Sequence, residues 1–150
     1  MALAQSLRPA VVIVRVVVCL VLLGGAIGKL LDPRPFWAFL VAVLGGGVAE
    51  EVFVVTLAVE ALLGVGLLVY WKRAWPGWGA AGLFLLLTGL FVRGMALNLQ
   101  EPVGWFGSLL AGQPLGFALP VRSLALAVMA GLVAVKEPAE RRRQEAPQPS

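Results

Sequence analysis

Four long apolar runs, separated by short clusters of Pro, Gly, Trp and charged residues, leave this chain few ways to fold. They cover residues 10–31, 48–70, 79–99 and 117–135. A helix crosses the hydrocarbon core of a bilayer with about 20 mostly apolar residues, so each run is long enough to span. Within a run such as residues 83–90 the apolar residues follow one another without alternating, which excludes the two-residue period of a membrane β-barrel. Composition agrees: the chain of 150 residues is 60% hydrophobic and 13% charged, against about 45–50% and about 25% in soluble domains. The expected fold is all-α, an integral-membrane bundle of four helices.

The connections refine this. A basic start before an apolar run suits a secretory signal, but the first run is too long for one and lacks a convincing small-x-small cleavage site. A retained helix is expected. Asp32-Pro33-Arg34-Pro35 ends it, because proline fixes φ and disfavours helix in the residue before it. Residues 36–44 are apolar but too short to span, and with Trp37 and two phenylalanines they suggest an interfacial or re-entrant helix between spans one and two. The second turn, 71–78, holds Lys72, Arg73 and three tryptophans, an aromatic belt beside positive charge. The connection 100–116 contains Glu101 and no Lys or Arg. Residues 136–150 form a Pro/Glu/Arg/Gln tail expected to be disordered and cytoplasmic. With four spans, Arg8, Lys72-Arg73, Lys136 and Arg141 to Arg143 share one side, which the positive-inside rule makes cytoplasmic. The expected location is the inner (cytoplasmic) membrane, multi-pass, with both termini inside.

Missing residue types narrow the chemistry. The chain has no histidine and one cysteine, Cys19, inside an apolar run. That removes His-ligated haem, zinc or copper, a His general base, and any intramolecular disulfide or CxxC site. No intrinsic cofactor is expected. The net charge of +4 reads as scattered topology determinants rather than a nucleic-acid surface.

Away from the first and last turns of the spans, four ionisable residues stand out: Arg15, Glu60, Arg93 and Arg122. Such groups face a bundle interior, pair, or snorkel to the interface. Arg15 and Arg122 lie near span ends, whereas Glu60 lies near the midplane, where a carboxylate cannot snorkel. A buried Glu60–Arg pair is expected, Arg93 favoured over Arg15. Such a pair either fixes helix register or serves a proton, quinone or ligand site. Gly24, Gly25 and Gly28, with Gly64 and Gly66, suit close helix packing.

These residues resemble a family. Arg15, then Gly24-Gly25-Ala26-Ile27-Gly28-Lys29-Leu30-Leu31-Asp32-Pro33, is similar to the first-helix signature of DoxX/MauE-like membrane proteins. Val59-Glu60-Ala61-Leu62-Leu63-Gly64 resembles their second-helix E-x-x-x-G element. Ala96-Leu97-Asn98-Leu99 with the later Phe-Gly, and Pro120-Val121-Arg122-Ser123, resemble the end of the third helix and the start of the fourth. The resemblance covers about residues 11–135 and implies a four-helix bundle. Family roles include maturing disulfide-rich periplasmic dehydrogenase subunits, forming part of a thiosulfate:quinone oxidoreductase, and tethering oxidoreductases in membrane complexes. MauE-type members commonly carry C-x-C-F-G in the outer loop, where this chain reads Val103-Gly104-Trp105-Phe106-Gly107. Thiol–disulfide exchange by that loop is therefore excluded.

Three functional readings follow. The first is a non-catalytic membrane subunit or scaffold of a larger redox or energy-converting complex, in contact with lipid and with no nucleic-acid partner. The second is a quinone-linked membrane protein in which Arg15, Glu60, Arg93 and Arg122 line a quinone or lipid site capped by Trp105 and Phe106. The third, a small oligomeric transporter, has less support because no inverted repeat is visible.

Overall fold

The computed structural model describes residues 2–70, 73–99, 102–103, 113–114 and 116–145, with side chains for 9–70, 73–99, 103 and 116–135. These residues form helices α1 (Ala2–Leu31), α2 (Arg34–Leu44), α3 (Gly46–Val69), α4 (Trp75–Ala96) and α5 (Ala118–Glu145). A two-residue antiparallel ladder, β1 (Pro102–Val103) with β2 (Gln113–Pro114), joins α4 to α5. Four stretches are long and apolar enough to cross a membrane: Pro9–Leu31, Gly46–Val69, Trp75–Ala96 and Ala118–Val135. The expected four-span, all-α architecture holds, with the short extra helix between spans one and two. The small ladder was not legible in a connection interrupted throughout by Gly and Pro.

Local sequence explains the breaks. Pro33 precedes α2 and Pro35 occupies its first turn, where a missing N–H costs nothing. Gly45 ends α2, its N–H donating to the Val41 carbonyl, and it also opens α3. Its φ of 89° lies in the left-handed region that glycine alone enters freely. The 11 residues of α2 reach only about 16 Å at 1.5 Å per residue. One face of this helix is packed into the bundle and the other is exposed. Phe36, Phe39 and Leu40 are fully buried, and Trp37 is the large hydrophobic side chain of this helix that stays exposed. The Phe36 ring packs, tilted, 6.1 Å from that of Phe53 on α3, and the Phe39 ring likewise 5.6 Å from that of Phe91 on α4. Thus α2 is a wedge driven between α3 and α4.

Close approaches set the antiparallel registers. A Cβ on Gly64 of α3 would lie 2.6 Å from Leu23 of α1, and one on Gly79 of α4 would lie 2.6 Å from Leu63 of α3. At Gly77 a Cβ would meet Ala134 of α5 at 2.9 Å. In lipid such small residues allow the backbone contact that holds helices together. Outward-facing Ile13, Leu20, Leu62, Leu85 and Val128 are more than half exposed, as suits a surface solvated by hydrocarbon. The backbone of α5 continues past Val135 to Glu145, so residues 136–145 are helical where the sequence leads one to expect a disordered tail. Ala, Glu, Arg and Gln are strong helix formers there, and they extend a helix already nucleated in the bundle. Residues 146–150 lie outside the described residues.

Candidate functional site

The buried face of α1 carries Arg15, Val18, Leu22, Ala26 and Lys29. Their spacing places them on one stripe of a helix, so both cations point at the same neighbour, α3. The matching stripe of α3 holds Thr56, Glu60, Leu63 and Leu67. Cys19 Sγ donates to the Gly64 carbonyl at 3.3 Å and fixes which turns oppose. In that register the Lys29 backbone lies roughly six residues, about 9 Å, from the level of Glu60. Helical side chains lean toward the N-terminus of their own helix, and the two helices are antiparallel. Lys29 and Glu60 therefore lean toward one another, and their stems close the gap.

The result is a closed ion pair. Lys29 Nζ donates to Glu60 Oε1 and Oε2, each at 2.7 Å, and both side chains have zero exposure. The ammonium also sits 4.5 Å from the centroid of the Phe36 ring, a cation–π contact. Three helices thus converge on one charge: α1 supplies the cation, α3 the carboxylate, and α2 the aromatic face. The doubly engaged carboxylate replaces hydration that hydrocarbon cannot supply.

Arg15 does a different job at the far end of α3. Its Nε donates to the Leu67 carbonyl at 2.7 Å and its Nη2 to the Tyr70 carbonyl at 2.8 Å. Carbonyls in the last turn of a helix lack intrahelical partners, and a cation there also complements the helix dipole. Across the bundle, Ser123 Oγ of α5 and Thr88 Oγ1 of α4 both donate to the Phe84 carbonyl, at 2.8 and 2.7 Å.

The four ionisable residues singled out from the sequence do not form one cluster. Glu60 is central, but the expected pair with Arg93 does not form; Lys29 takes that place. Arg93 is exposed near the end of α4, and the Leu63–Gly79 contact sets Glu60 level with about Gly82, roughly 16 Å along α4 from Arg93. Arg15 is buried, yet its carbonyl partners Leu67 and Tyr70 lie about 10 and 15 Å along α3 from Glu60. Arg122 is exposed near the start of α5. Trp105 and Phe106, expected to cap a site, lie outside the described residues. Lys29 and Phe36 were missed. The available signal was that Lys29 follows Arg15 by two heptads on one face of the first span. Among the described residues no group of three or more His, Cys, Asp or Glu is arranged to hold a metal ion.

Four membrane-spanning helices, a wedge helix and an internally compensated charge define a small polytopic membrane protein of helical-bundle type. The family model described as "Methylamine utilisation protein MauE" matches residues 7–136, and the chain belongs to that family. No curated protein and no solved structure gives a significant match to the chain.

Proposed function

We propose that this protein is a non-catalytic membrane subunit, a scaffold in the inner membrane for a larger redox or energy-converting complex. The family's description points to methylamine-utilisation machinery as the setting. The observation that carries the reading is the closed Lys29–Glu60 pair. The central carboxylate of the bundle is held by one ammonium that makes two charge-assisted hydrogen bonds to it, an arrangement that fixes helix register rather than awaiting a substrate. The sequence supports the same view, with a single cysteine and no histidine, so the chain has no dithiol or imidazole of its own. The basic residues near the start of α1, in the α3–α4 turn and after α5 favour a cytoplasmic position for both termini.

The test is purification of the tagged native protein in mild detergent, followed by mass spectrometry. Stoichiometric recovery with a larger enzyme complex is expected. Recovery as an isolated protein with redox activity of its own would overturn the reading. Topology is checked by reporter fusions at residue 150 and in the 100–116 connection, with the first expected on the cytoplasmic side and the second opposite.

A further inference from the structure

The wedge has a consequence on the opposite, lipid-facing side of α3 and α4. The two helices touch closely where Gly79 meets Leu63, but toward the other end α2 is inserted between them through the Phe36–Phe53 and Phe39–Phe91 contacts. A groove of about 470 Å³ lies along this pair, walled by Val52, Val55 and Val59 of α3 and by Gly82, Leu83 and Leu86 of α4, with Glu51 at its mouth. Ligand sites of roughly 300–1,000 Å³ take one small amphiphilic molecule. From Gly79 to Leu86 the groove runs about 10 Å, giving a cross-section near ~45 Å², narrower than a second helix about 10 Å across. It has room for extended hydrocarbon.

A carboxylate lines the mouth and a guanidinium follows just beyond it on α4. Arg93 lies two heptad steps from Gly79 and one from Leu86, on the same stripe of α4. The α3–α4 register puts Glu51 level with about residue 91, so carboxylate and guanidinium flank the groove at one height, each within about 8 Å of its helix end. Both are exposed, and neither takes part in an ion pair among the described residues. That depth is where headgroups lie.

We propose that this groove binds a zwitterionic phospholipid of the phosphoethanolamine type. Its chain lies along Val55, Val59, Gly82 and Leu86, its phosphate is held by Arg93 and its ammonium by Glu51. A guanidinium suits a phosphate, and a carboxylate accepts from a primary ammonium. A purely anionic headgroup would leave Glu51 opposed to like charge, and a quinone head would leave both charges without complement.

The experiment is native mass spectrometry of the full chain, exchanged in mild detergent against equimolar phosphatidylethanolamine, phosphatidylglycerol and ubiquinone. One bound phosphatidylethanolamine is expected, favoured over phosphatidylglycerol. Arg93→Gln and Glu51→Gln are each expected to lower its retention roughly tenfold, the worth of one charge-assisted contact. Gly82→Leu fills the groove, and nothing lies within 4 Å of a Cβ there, so this variant keeps its fold, checked by helical circular dichroism, and loses the lipid. Equal retention by Gly82→Leu, preference for phosphatidylglycerol, occupancy by ubiquinone, or a second copy of the chain released from dimer by Gly82→Leu would each overturn the proposal.

Discussion

The α1–α3 and α4–α5 interfaces hold the same kind of bundle together by different means. Between α1 and α3 the contacts are polar and directional: Lys29 on Glu60, Arg15 on the end carbonyls of α3, and Cys19 on the Gly64 carbonyl. Between α4 and α5 they are close and largely apolar, with Gly77 against Ala130 and Ala134 and Ser123 reaching across to the Phe84 carbonyl. Steric packing alone tolerates sliding by a turn with modest loss, because lipid is as apolar as the helix surface. A buried charge does not, since a shift of one turn would strand it in hydrocarbon. The polar interface therefore specifies register, and the small-residue interface supplies proximity.

The contrast can be broken from the polar side first. Lys29→Met leaves the Glu60 carboxylate buried without its cation, and is expected to cost about 3–5 kcal/mol in reversible unfolding in bicelles; a loss below one quarter of that would mean water reaches the site. Next comes Arg15→Met, which strips donors from the end of α3. It should cost about 2–3 kcal/mol, the range for hydrogen bonds to a charged group, and raise hydrogen exchange in the last turn of α3. On the other interface Gly77→Val forces α4 and α5 apart, with an expected cost of about 1–3 kcal/mol and a changed cross-linking distance between the two helices. Ser123→Ala is the smallest, about 0.6 kcal/mol, the average for interhelical hydrogen bonds in lipid. If Ser123→Ala proved costlier than Lys29→Met, the division between the two interfaces would be wrong.

Hydropathy and breakers made the spans legible, because the bilayer imposes length and apolarity on any helix that crosses it. Pro33 and Pro35 marked the start of α2 by fixing φ, and Gly45 marked its end by entering a φ that other residues avoid. The burial of α2 was not legible, since Phe36 and Phe39 suit an interfacial helix as well as a wedge. Glu60 stood out by its depth, yet its partner did not. Sequence gives a residue's depth along its own helix, whereas pairing depends on register between helices and on the direction in which side chains lean. Lys29, two residues from the end of α1, looked like an interfacial cation. It points back into the bundle and meets a carboxylate that lies deeper. Arg93 lies toward the same end of the bundle as Lys29, but it failed as the partner because it is exposed on α4 and well over one turn from the level of Glu60.

That pairing is best tested by a double-mutant cycle with Lys29→Met, Glu60→Met and the combined variant, each unfolded reversibly in bicelles. A coupling of about 2–3 kcal/mol is predicted, near the upper range for residues in direct contact, with the combined variant more stable than Lys29→Met alone because no charge is left stranded. Additive losses, with the combined variant the least stable of the three, would contradict the account.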